Sequence, residues 1–148
     1  MNAEEARRKF WNTLRETVKE QGNTFLFTEE KQWAIINKDS SNYHEPCVAL
    51  DFLWRDEILR INVYIENDVL LYNKLKARKN EIEKELGFEC LWRENDSSTH
   101  SNGKGANTRR IEIDIQFDKR MLDFKELSMK AIPIIERYIE VFRGYIDC

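Results

Sequence analysis

Little in this chain interrupts regular structure or cross-links it. Its 148 residues include two prolines, five glycines, three cysteines and two histidines. So few glycines and prolines leave no room for a long flexible or proline-rich linker, and one domain over 1–148 is the expectation. Cys47, Cys90 and Cys148 are odd in number, far apart and never in Cys-x-x-Cys spacing. That excludes a disulfide framework and a cysteine zinc site, and the three read as reduced thiols of a cytoplasmic protein. No apolar run approaches the roughly 20 residues of a membrane span. The opening segment, Met-Asn-Ala-Glu-Glu-Ala-Arg-Arg-Lys, is charged and lacks the apolar stretch of a secretory signal. A net charge of −3 denies the chain a uniformly basic surface, so any nucleic-acid contact has to come from a local patch. His44 and His100 fall in expected loops with no serine or cysteine at triad spacing, and neither is given a catalytic role.

What is present is apolar periodicity. With 41% hydrophobic and 11% aromatic residues the chain can bury one sizeable core. Leu59, Ile61, Val63 and Ile65 alternate with Arg60, Asn62 and Tyr64, the pattern of a strand with one face in the core. Leu50, Phe52 and Trp54 repeat it just upstream, with Ala49, Asp51 and Leu53 opposite. Arg55-Asp56-Glu57 is short and charged enough for the turn between them, although it has no glycine. After Asn67 the period changes to three and four. Leu71, Leu75, Arg78, Ile82 and Leu86 lie along one side of a helix, with Asn67 or Asp68 as its N-cap and Gly87 as its stop.

The remaining chain reads the same way. Residues 3–21 form a helix with Phe10, Trp11, Leu14 and Val18 on its apolar side and Gly22 after it. Short strands are expected at 24–27 and 33–37, and another at 88–93 with Phe88, Cys90 and Trp92 on one side. The segment 94–108 is polar, with Gly103 and Gly105, and reads as a mobile loop. The strand at 109–117 is the most regular: Ile111, Ile113, Ile115 and Phe117 face one way, and Arg110, Glu112, Asp114 and Gln116 the other. A last helix covers about 120–146, with Pro133 expected to kink or divide it near 128–131. Its crowded apolar residues, Ile134 to Ile146, imply either packing on two sides of the core or a self-association surface, hence a homodimer. The fold class is therefore α+β, in the order α-β-β-β-β-α-β-β-α. A mostly antiparallel sheet carries its helices on one face and leaves the polar face comparatively open.

Phe10-Trp11 with Leu14 and Gly22, Trp33 with Ile35, and the run Arg60-Ile-Asn-Val-Tyr-Ile65 form a pattern with Ile82-Glu-Lys-Glu-Leu-Gly87, Leu91-Trp92 and Arg110-Ile111. In order and spacing this resembles the uncharacterised prokaryotic family called domain of unknown function 4268. The resemblance covers nearly the whole chain and supplies no catalytic residues. It implies a setting of DNA processing or defence, because in that family the domain stands alone or follows a nuclease-like segment.

Candidate chemistry gathers on the polar face. Arg60, Asn62 and Tyr64 on one strand, Arg110 on another, and Lys104 and Arg109 beside it form a candidate binding surface for nucleic acid or a protein partner, with Trp54 and Tyr64 as aromatic contacts. Arginine and carboxylate pairs across strands are equally the ordinary dress of a solvated sheet. Asp51, Glu112 and Asp114 form the alternative: carboxylates for Mg²⁺ in a divergent nuclease, although no lysine ends the strand motif. Outside that alternative no cofactor is implied. Gly103-Lys-Gly105 lacks the spacing of a phosphate loop and precedes a strand. Lys74, Lys76, Arg78 and Lys79, interspersed with glutamates, read as a solvated helix face. The leading expectation is a non-enzymatic binding or accessory module.

Overall fold

The computed structural model describes residues 1–25, 32–36, 46–94 and 108–146. In chain order the elements are α1 (Ala3–Glu20), β1 (Trp33–Ile35), β2 (Cys47–Leu53), β3 (Ile58–Glu66), α2 (Val69–Lys76), α3 (Lys79–Leu86), β4 (Leu91–Glu94), β5 (Thr108–Gln116) and α4 (Phe124–Phe142). The strands form one antiparallel sheet in the order β1-β2-β3-β5-β4. The α+β class and the one-sided placement of the helices are as the periodicity implies. The strand expected at 24–27 lies partly outside the described residues, although Phe25 is buried in the core.

The register sorts every strand residue onto a face. Leu50, Ile61 and Ile113 form one cross-strand row, and Val48, Val63, Ile111 and Trp92 another. These rows lie under the helices. From α1, Phe10 stacks on Phe52 of β2 with centroids 4.5 Å apart and planes 4° from parallel. Ala6, Trp11, Leu14 and Val18 fill the same layer, each large side chain contributing about 1.5–3 kcal/mol by its burial. The helix starts where Asn2 accepts a hydrogen bond from the Glu5 amide at 2.8 Å, and it ends at Gly22, whose φ of +73° turns the chain away.

Three details correct the sequence reading, and a fourth decides between the two N-caps it offered. The helix expected over 67–86 is two helices, divided at Ala77 and Arg78. Arg78 occupies the place in the stripe where an apolar residue would have continued the buried side. Tyr72 and Leu75 anchor α2, Ile82 and Leu86 anchor α3, and Arg78 is exposed at the break. The N-cap is Asp68, which accepts from the Leu71 amide at 3.0 Å, while Asn67 takes the left-handed conformation before it. Strand β4 begins at Leu91, later than expected, because the Cys90 amide donates to the Glu83 carboxylate at 2.7 Å and not to the sheet.

Pro133 does not divide α4, which runs unbroken from Phe124 to Phe142. The proline and Met129, whose carbonyl it leaves without a helical donor, are both exposed, so water can solvate that carbonyl. The crowded apolar residues of α4 serve the core from two sides. Ile132, Ile135, Tyr138, Val141 and Phe142 are buried, and Ile134 and Ile139 pack against the core's edge. Among the described residues, no helix is long and apolar enough to cross a membrane.

The polar face of the sheet

Three cross-strand rows build the other face. The first is Trp33, Asp51, Arg60 and Asp114; the second is Ile35, Ala49, Asn62, Glu112 and Leu91; the third is Cys47, Tyr64, Arg110 and Arg93. Alternation along each strand places these side chains opposite the core. All of them but Asp114, Glu112 and Leu91 line a concave cavity of about 620 Å³, with Thr108 and Asp56 also in its wall. The face was expected to be comparatively open; its centre is not. Asn62 is 1% exposed and Glu112 0% exposed.

Glu112 is the hub. One of its carboxylate oxygens meets the Arg93 guanidinium; the other lies 3.2 Å from Arg60 Nε and 3.9 Å from Arg110 Nε. That second oxygen accepts no hydrogen bond of good geometry, because Arg60 aims its Nε–H at Asp114 Oδ1, 2.9 Å away, and brings Nη2 to 3.5 Å from Oδ2. The guanidinium thus bridges two carboxylates from the next strand. Such pairing is what permits charges to leave water.

Asp51 is placed differently. Arg60 stands directly across from it in the register but turns to Asp114. Among the described residues Asp51 accepts a single hydrogen bond, from Asn62 Nδ2 at 3.2 Å, while the same amide donates to the Ala49 carbonyl at 3.3 Å. Burial pushes the Asp51 carboxyl up from 3.8 to about 6, against the pull of Arg110 and Arg60; nearby Glu112 adds to the rise. Burial also raises the Tyr64 phenol, with the Thr108 hydroxyl beside it working the other way.

The structure brings Arg60, Asn62, Tyr64 and Arg110 together as the alternation implies. It does not bring in Arg109, which lies in the row of Ile65 and Glu94 on the helix side, its guanidinium 5.8 Å from the centre of the Tyr72 ring. Trp54 is also absent from this face. It packs near Phe52 and Phe117 on the core side, beneath the Lys119 ammonium. Lys104, His100 and His44 lie outside the described residues, as do 95–107 of the expected mobile loop, whose two end residues belong to β4 and β5. Lys74, Lys76, Arg78 and Lys79 are exposed; Lys76 pairs with Glu94 and Arg78 with Glu81.

Asp51, Glu112 and Asp114 do share the face, but Arg60 stands between Asp51 and Asp114 in their row. Among the described residues no group of three or more His, Cys, Asp or Glu converges as a metal site would require. A guanidinium already occupies the place where a divalent cation would bridge the acids. Trp33, Asp56 and Arg93 were missed as members of the site. For Arg93 the signal was available, since it alternates with Trp92 and so must lie on the opposite side.

The sequence profile of a domain of unknown function, DUF4268, matches residues 6–123. The chain belongs to that family. The match takes in all five strands and every residue of the polar face, and stops at the start of α4. Comparison with curated proteins gives no match. Two solved structures are similar. YbjN from E. coli has a TM-score of 0.48 and 13% identity, over 90% of this chain and 89% of its own. A chain of the ExsC–ExsE complex has the same TM-score and identity, over 100% of this chain and 98% of its own.

Proposed function

We propose that this chain is a non-enzymatic binding module and that the recessed polar face is its contact surface. One observation carries the reading: the guanidiniums on that face are paired with carboxylates beside a cavity. Arg60 is held by Asp114 and Glu112, and Arg93 by Glu112. Gripping a phosphate backbone takes cations free to replace counterions. Metal-assisted hydrolysis takes carboxylates free to hold the metal. A concave site lined by apolar side chains and a few convergent polar groups instead suits reversible recognition of a small group or a partner's side chain. The family resemblance supplies the setting, DNA processing or defence, in which the module acts as an accessory.

The test is a titration against labelled single- and double-stranded DNA and RNA at two salt concentrations, with and without Mg²⁺, each sample also run on a denaturing gel. The expected result is uncut nucleic acid in every lane, and no binding that depends on Arg60 or Arg110. Steeply salt-dependent binding lost in Arg60→Ala and Arg110→Ala would move the function to nucleic-acid contact. Mg²⁺-dependent cleavage lost in Asp114→Asn would make the chain a nuclease.

A further inference from the structure

Resting on that reading of the cavity, we infer that its Asp51 corner binds a compact organic cation, a primary amine or guanidinium such as ends a lysine or arginine side chain. Asp51 is a recessed acid on this face whose acceptor capacity is little used by the described residues. A carboxylate can accept about four hydrogen bonds, and among the described residues this one accepts one, from Asn62. Among the described residues it has no ion pair, because its cross-strand neighbour Arg60 is committed to Asp114 and Glu112. It lines the cavity next to Trp33, its register partner on β1. An aromatic wall beside an acid is the setting that attracts alkylammonium and guanidinium groups.

The charge balance has the same sign. Among the described residues, the face and its rim carry the carboxylates Asp51 and Asp56 from β2 and the turn after it, Glu66 at the end of β3, and Glu112 and Asp114 from β5. Against them stand Arg60 from β3, Arg110 from β5 and Arg93 from β4. Five acids face three guanidiniums, an excess that a bound cation reduces. Burial also leaves Asp51 protonated more readily than an exposed aspartate. A cation arriving beside it favours the charged form, so binding below about pH 6 releases a proton.

Isothermal titration of the whole chain tests this with three probes: butylamine, a short neutral peptide carrying one lysine or arginine, and butyrate as the anionic counterpart. Saturable binding of butylamine or the peptide is expected near neutral pH, weaker by about tenfold one unit below the Asp51 pKa. Asp51→Asn, which keeps an acceptor for Asn62, is expected to lose at least tenfold in affinity while melting as a folded protein, and Asp56→Asn to lose no more than about twofold. Binding of both butylamine and peptide marks an open subsite; binding of the peptide alone assigns the cation to a partner chain, and both outcomes support the inference. Equal affinity in Asp51→Asn overturns it. Preference for butyrate, lost in Arg60→Ala, overturns the cation while leaving the cavity as the binding surface. No binding of any probe overturns the cation and removes the support for the cavity together.

Discussion

Arg60 on β3 lies with its Nε 2.9 Å from Asp114 and 3.2 Å from Glu112, both on β5. The side chains of Arg60 and Asp114 are 16% and 18% exposed, and that of Glu112 is fully buried. The pairing ties the two central strands together on the face that the helices leave uncovered. Removing the guanidinium takes the partner of the largely buried Asp114 and leaves the buried Glu112 to Arg93 and Arg110 alone among the described residues. Arg60→Ala should therefore cost about 3–5 kcal/mol. Arg60→Lys should recover only part of the loss, since an ammonium cannot reproduce the planar fork. Denaturant midpoints of the three proteins measure this. An Arg60→Ala midpoint equal to wild type would mean that the bridge is incidental.

Asp51 makes stability depend on pH in the direction opposite to a salt-bridged acid. Its folded-state pKa of about 6 lies above its ordinary 3.8. Between those values the folded chain keeps a proton that the unfolded chain has released. This contribution to stability therefore falls as pH rises from about 4 to about 6 and is flat above. Asp51→Asn should stabilise the protein by about 1–3 kcal/mol near pH 8 and by almost nothing near pH 4. Thermal melts of both proteins across that range decide it, and a stabilisation independent of pH would contradict it.

Tyr72 is buried, and its hydroxyl has no hydrogen-bond partner among the described residues. Its ring packs near Trp92 at 6.2 Å and under Arg109, so the ring is well used and the hydroxyl is not. Burial holds that hydroxyl up at about 12. Tyr72→Phe should keep every ring contact and raise stability by about 1 kcal/mol. A loss of stability in the phenylalanine variant would show that the hydroxyl is satisfied in solution.

These relationships divide into those that periodicity reveals and those that it does not. Alternation in Arg60-Ile-Asn-Val-Tyr and Arg110-Ile-Glu-Ile-Asp assigns each side chain to a face, so the membership of the polar face was largely legible. Arg109 and Trp54 were misplaced because proximity to charged residues was allowed to outweigh alternation: Arg109 adjoins Arg110 in sequence and for that reason points the other way. The order of strands was not legible, since Arg60 meets Asp114 only because β5 pairs with β3 and leaves β4 at the edge. Nor could spacing distinguish carboxylates that hold a metal from carboxylates that hold an arginine. That depends on which way Arg60 turns, toward Asp51 or toward Asp114, and both are its register neighbours.

Cys90 sits between the helices and the sheet, its Sγ 3.4 Å from the Tyr138 hydroxyl, which in turn donates to the Ile111 carbonyl at 3.2 Å. Burial pushes the Cys90 thiol up to about 11, more than the Tyr138 hydroxyl offsets, and the Glu83 carboxylate adds to the rise. A thiol reacts through its thiolate. At about pH 8 the thiolate fraction of such a group is on the order of 0.1%, against tens of per cent for an unperturbed cysteine. Iodoacetamide should therefore alkylate Cys90 in the folded chain at least about a hundredfold more slowly than in urea, as read by mass spectrometry of the peptide that carries it. Tyr138→Phe separates the two causes. It removes the hydroxyl that favours the thiolate and leaves the apolar packing, so Cys90 should become no more reactive. A jump in labelling rate in that variant would mean that Tyr138 seals the site, and that access, not acidity, protects the thiol.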